Sequence, residues 1–192
     1  MRPTRGDALR SAVTADAALV AAIASGDISG LGTLFDRHGA SVRHLLARLG
    51  MPASDLDDLV QETFLDLVHA AARFRPDAAV RPWLFGLAAV VARRHRRFVA
   101  RLFARLQKWT SEPAPERGAT PEERCALSAD ALRAAQALER LSVKKREAFV
   151  LVALEGMSGE EAAAALHIPV ATVWTRLHHA RRELRDALAE DA

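Results

Sequence analysis

From Asp16 onward the apolar residues fall at helical intervals. Leu19, Val20 and Ile23 share one face, and Ser25-Gly26-Asp27 closes the run. A second helix is predicted from about Ile28 to Leu49, with Leu31, Leu34, Phe35, Val42, Leu45, Leu46 and Leu49 on its apolar side. Gly50-Met51-Pro52 stops it. Ser54 or Asp55 then suits the cap of a third helix, whose stripe is Leu56, Leu59, Val60, Phe64, Leu67 and Val68. Its polar side carries Asp57, Asp58, Gln61, Glu62 and Asp66. A loop from Phe74 leads to a fourth helix, about Pro82 to Phe103, in which Trp83 and Leu84 read as core. Residues 1–14 read as a loose tail.

Between residues 104 and 128 Pro, Glu, Thr and Ser replace the periodicity, and the stretch reads as a flexible linker. Helical pattern resumes at 129–190 with Ala131–Leu141, Lys144–Glu155 and two further helices. Gly156 ends one helix, and Ser158 with Glu161 has the spacing of a capping box. Ala162 to Ala165 are small enough to admit another helix closely. Pro169 suits the first turn of the last helix. Two short helices joined by about three residues form a helix-turn-helix pattern. His167 occupies the turn, where a left-handed backbone is expected and where His is better tolerated than most residues.

The phase of the last helix gathers Val170, Val173, Leu177, Ala180 and Leu184 on one side. Ala171, Thr175, His178, His179 and Arg182 lie opposite, with Thr172 beside them and Trp174, Arg176 and Arg181 on the borders. Such a face can hydrogen-bond base edges and neutralise phosphates.

The composition is that of an all-α protein large enough for one domain or two small ones: 192 residues, half of them apolar, with Ala, Leu, Arg and Glu dominant. The helical pattern on either side of the linker makes it two small helical domains. Net charge is only +3, but no acidic residue lies between Asp77 and Glu112. That interval holds Arg81, Arg93, Arg94, Arg96, Arg97, Arg101, Arg105 and Lys108, a one-signed block that points to a polyanion. The single cysteine, Cys125, excludes a disulfide within the chain and fits a cytoplasmic setting. The start reads as no signal peptide, and the apolar run Trp83 to Ala92 is about half a membrane span.

Two long stretches in order, DLDDLVQETFLDLVHAAARFRPDAAVRPWLFGLAAVVARRHRR and ALERLSVKKREAFVLVALEGMSGEEAAAALHIPVATVWTRLHHARREL, resemble the extracytoplasmic-function (ECF) sigma factors of the bacterial sigma-70 family. The resemblance implies a four-helix region 2 domain over residues 15–103 and a region 4 helix-turn-helix domain over 129–190. It implies docking of Asp58, Gln61 and Glu62 on the β′ coiled coil of core RNA polymerase, with the β subunit as a further contact. For the −10 element it implies capture of an opened strand by Phe74, Arg75, Asp77, Arg81, Arg93, Arg94, Arg96 and Arg97. For the −35 element it implies duplex reading by Thr172, Trp174, Thr175, Arg176, His178 and His179, with Arg181 and Arg182 toward phosphates. An anti-sigma factor acting in a stress or signal response is implied as well. The chain departs from common family usage at Ala89-Val90, at Arg94 where relatives often have Asp, and at Trp174 and His179.

No Walker loop, dinucleotide turn or nucleophile elbow is present, so no catalysis is expected. Asp36-Arg37-His38 reads as a surface salt bridge on a helix. His178-His179 and Cys125 lack the spacing and number of a zinc site, so no metal or other cofactor is expected. The competing function is a stand-alone helix-turn-helix regulator that binds duplex DNA without polymerase.

Overall fold

The computed structural model describes the backbone of residues 5–106 and 129–190, and the side chains of 15–102 and 132–189. Eight α-helices appear among the described residues. They are α1 (Arg5–Ala24), α2 (Leu31–Arg48), α3 (Leu56–Ala70), α4 (Val80–Leu106), α5 (Ala129–Arg140), α6 (Val143–Phe149), α7 (Gly159–Leu166) and α8 (Val170–Glu190). Helix α1 begins inside the stretch read as a tail. No Pro or Gly interrupts Asp7–Ala24, so nothing local stops the helix from extending toward the amino terminus. Residues 107–128, with Cys125 and most of the expected linker, lie outside the described residues.

In the amino-terminal half α2, α3 and α4 pack around Leu34, Val42, Leu45, Leu46, Leu59, Phe64, Leu67, Leu84 and Phe85, all buried. Helix α1 is fastened to α2 by Asp16. This buried carboxylate accepts from Arg37 Nη1 at 2.5 Å and meets His38 Nε2 at 2.8 Å. Arg37 and His38 of the Asp36-Arg37-His38 triplet thus serve an inter-helix clamp, not an isolated surface bridge. Asp55 does sit at the cap position of α3, but without a side-chain capping bond. Its carboxylate instead accepts from Ser54 Oγ at 2.7 Å and faces His95 Nε2 at 2.9 Å.

Gly50 ends α2 with φ +82°, a conformation costly for any side chain. A Cβ there would also lie 2.1 Å from Arg146 Nη1, which comes from the other half of the chain.

In the carboxy-terminal half, α6 widens after Phe149 into a π-helical turn, Val150–Leu154, closed by the bond from Glu155 N to Val150 O at 2.9 Å. Helix α7 opens with the expected capping box. Glu161 N donates to Ser158 Oγ at 3.1 Å, and Ser158 N donates to Glu161 Oε2 at 2.8 Å. It ends at His167, whose φ of 54° and ψ of 48° are left-handed. His167 is the sole non-glycine residue with positive φ among the described residues.

The two halves share a continuous core. Val150, Leu151, Ala162, Leu166 and Val173 belong to the same buried cluster as Leu84, Phe85 and Ala88. Helices α4 and α7 approach closely. A Cβ on Gly86 would stand 3.1 Å from Ala165 Cα and 3.2 Å from its Cβ. The helix admitted by the small residues of α7 is therefore α4. Buried apolar area of this kind stabilises by about 25 cal/mol per Å².

Candidate polymerase and nucleic-acid interface

Asp58, Gln61 and Glu62 fall one turn apart on α3, and the buried stripe Leu59, Val60 and Phe64 turns them outward. Asp58 and Gln61 are exposed, and Asp58 holds no ion pair among the described residues. Glu62 is half-buried and engaged: Arg94 Nε donates to its Oε1 at 2.9 Å, and Arg94 Nη2 reaches Asp66 Oδ2 at 3.1 Å. Burial works against the Arg94 charge, but the bonds and charges of Glu62 and Asp66 together raise its proton affinity above the ordinary arginine value. Leu65, 58% exposed, shares this face and is not among the residues expected from sequence. Its position four residues after Gln61, on a face otherwise polar, was the available signal.

The loop before α4 holds Phe74, half-buried, with its ring centroid 4.9 Å from that of Trp83. Arg75 and Asp77 are exposed and pair with each other at 3.1 Å. The arginines of α4 then divide sharply. Arg81 lies over the Phe85 ring at 4.6 Å and donates to Glu155 Oε2 at 2.8 Å. Glu155 also takes Arg48 Nη1 from α2. Arg93 Nε and Arg96 Nη2 each donate to Glu147 Oε1 at 3.0 Å, and Arg96 Nη1 reaches Leu49 O at 3.0 Å. Glu147 is 3% exposed. Burial lowers the proton affinities of Arg96 and Arg146, and Glu147 offsets part of that loss at Arg96.

Of the expected −10 cations, then, Arg81, Arg93 and Arg96 are occupied by the carboxy-terminal half, and Arg94 by α3. Arg97 is exposed and holds no ion pair among the described residues. The sequence could not show this division, because Arg93 and Arg96 lie 54 and 51 residues from Glu147.

On α8, Val173, Leu177 and Ala180 are buried as the phase requires. Val170 and Leu184 are not: Val170 is 36% exposed and Leu184 half-buried. Leu184 lines the open groove between α8 and α5. Trp174, Thr175, His178, Arg181 and Arg182 are exposed, while Thr172, Arg176 and His179 are half-buried. Trp174 lies against the amino terminus of α7, where a Cβ on Gly159 would meet its indole at 2.6 Å. Thr175 Oγ1 donates back to Ala171 O at 2.9 Å, leaving lone pairs outward. The His178 and His179 rings meet edge-on at 5.7 Å. His178 and Arg181 also line an apolar groove formed with Leu138, Phe149, Leu154 and Leu188. No group of three His, Cys, Asp or Glu stands together as a metal site among the described residues. No described helix is long and apolar enough to cross a membrane.

Comparison with known proteins places both halves. The sigma-70 region 2 model matches residues 34–102, and the sigma-70 region 4 model matches residues 131–184. The RNA polymerase sigma factor CnrH of Cupriavidus metallidurans is 37% identical over 93% of this chain and 96% of its own length. The ECF RNA polymerase sigma factor SigM of Mycobacterium tuberculosis is 36% identical over 88% of this chain and 82% of its own. The solved structure of CnrH in complex with the cytosolic domain of CnrY matches with a TM-score of 0.67 at 34% identity. It covers 93% of this chain and 99% of that one. RpoE of Bartonella quintana, solved with the anti-sigma factor NepR, shares the fold at 23% identity and a TM-score of 0.67. The chain belongs to the sigma-70 family and, within it, to the extracytoplasmic-function group of RNA polymerase sigma factors.

Proposed function

We propose that the chain is a non-catalytic initiation subunit that brings core RNA polymerase to promoters with matching −10 and −35 elements. The observation that carries this reading is the order of the two family matches, region 2 before region 4, across both helical halves. In this reading the division runs as residues 15–103, linker 104–128 and 129–190, with α4 carrying helix three residues into the expected linker, to Leu106. Asp58, Gln61 and Glu62 offer acceptors to basic side chains of the β′ subunit. The loop from Phe74 and the arginines of α4 hold the opened −10 strand. Without nucleotide chemistry, melting must be offset by strand binding, since each stacked step costs about 1.4 kcal/mol to open. The exposed face of α8 enters the −35 major groove, with Thr175 and His178 toward bases and Arg181 and Arg182 toward phosphates.

Control by an anti-sigma factor belongs to the same proposal. Relatives solved with CnrY and with NepR support it, as does the apolar groove between α5 and α8, which offers a surface to a protein partner.

The test is co-elution of the purified chain with core RNA polymerase, beside a variant with Asp58, Gln61 and Glu62 replaced by Ala. Binding weakened by the triple change supports the docking face. Binding unaffected by it moves the contact elsewhere, and no binding by the folded chain favours the stand-alone regulator.

A further inference from the structure

We propose that Phe98, with Arg97 and Arg101 along one flank, is a base-stacking platform for unpaired DNA. It would extend the strand path of α4 beyond the residues already assigned. The inference rests on the reading that α4 faces promoter DNA, and adds two residues, Phe98 and Arg101, that the family resemblance did not supply.

Phe98 is 57% exposed, whereas on the same helix Phe85 is completely buried and Trp83 half-buried. Arg94, Arg97, Phe98 and Arg101 fall within a sector of about 100° on the helix. Val90, Arg93, Arg94, Arg97 and Arg101 line one surface depression. Within this group Arg93 and Arg94 are held by carboxylates, whereas Arg97 and Arg101 hold no ion pair among the described residues. The available positive charge of α4, Arg97 and Arg101, thus runs along one flank of an exposed ring, about 60–100° from it around the helix.

Charge alone would suit duplex DNA, a single strand or an acidic protein. The ring favours the single strand. A phenyl face stacks readily on a base that is already unpaired and unstacked, whereas in a duplex it must first pry a base step apart, at a cost of about a few kcal/mol. The position fits a continuing strand. Phe98 lies seventeen residues beyond Arg81, about 25 Å along the helix at 1.5 Å per residue.

The experiment is fluorescence anisotropy of the full chain with labelled oligothymidine across a salt series, beside a duplex of equal length. Oligothymidine removes any need to know the promoter. Phe98→Ala is expected to weaken strand binding about five- to 150-fold, the range for loss of one base stack, with duplex binding unchanged. Phe98→Trp should restore it. Arg97→Gln and Arg101→Gln should each reduce the salt slope by about 0.7. Strand affinity in Phe98→Ala equal to wild type would overturn the proposal, as would equal losses on strand and duplex, or no strand binding by wild type. A Phe98→Ala chain that binds the strand normally but loses core polymerase would reassign the ring to a protein contact. Loss of the docking face in the triple variant leaves this result untouched, so the two readings fail separately.

Discussion

Arg94 of α4 and Glu62 of α3 hold each other through two guanidinium nitrogens, Nε at 2.9 Å and Nη2 at 2.5 Å from the same carboxylate oxygen. A cation assigned to the −10 strand therefore neutralises an acceptor assigned to polymerase. Each surface is partly satisfied by the other before either partner arrives.

Replacing Arg94 by Ala should free Glu62 and strengthen binding to core polymerase. Both side chains are almost half exposed, so the pair contributes about 0.2–1 kcal/mol and the gain should be about 1.4- to 5-fold. Titration of labelled chain with core polymerase measures it. A loss of affinity would mean that Arg94 itself contacts polymerase.

Glu147→Gln should loosen the contact between the halves. It leaves Arg93 and Arg96 without an anionic partner at a site where the carboxylate side chain is 4% exposed. The cost should approach about 3 kcal/mol, read as a lower urea midpoint. Freed guanidinia should also raise affinity for oligothymidine. Small-angle scattering should show a larger radius of gyration, and an unchanged radius together with unchanged DNA affinity would show that this carboxylate does not hold the halves together.

At Gly86 two substitutions should separate. Gly86→Ala places a methyl 3.1 Å from Ala165 Cα, but gains about 1 kcal/mol of helix propensity, so its net effect should be within about 1 kcal/mol of zero. Gly86→Val adds branches with nowhere to go and should cost about 1–3 kcal/mol by forcing α4 from α7. Equal stability of the two variants in urea would show that the helices separate without cost.

His167→Gly should stabilise the chain by up to about 1 kcal/mol, because glycine enters the left-handed turn without a Cβ penalty. Its larger unfolded-state entropy limits the gain. His167→Val should destabilise it. Calorimetric melting temperatures of the two variants, measured together, check the order.

The helix-turn-helix was the most legible part of the sequence because its determinants are local. Ser158 and Glu161 are three residues apart, and His167 ends the helix that they begin. The phase of Val173, Leu177 and Ala180 similarly follows from 3.6 residues per turn. The amino-terminal stripes held too, except that Phe35 is 41% exposed while its ring still packs on Phe64 at 5.0 Å. What the sequence could not display were contacts set by the meeting of the halves. Arg48 lies 107 residues from Glu155, and Arg81 lies 74 from it. A block of arginines reads as free positive charge until the fold reveals which carboxylates have been carried to it.

Glu147 and Glu155 place carboxylate oxygens against guanidinium groups that, under the proposed function, also meet DNA phosphates. The same side chains are thereby under two selective pressures at once. A substitution at Arg93 or Arg96 that improved contact with one promoter would also alter the grip of the halves on each other, and a change at Glu147 would alter every promoter the chain serves. Mutational drift on this face should therefore proceed by paired exchanges between α4 and α6, more slowly than on the outward face of α8, where a promoter contact can change without disturbing the fold.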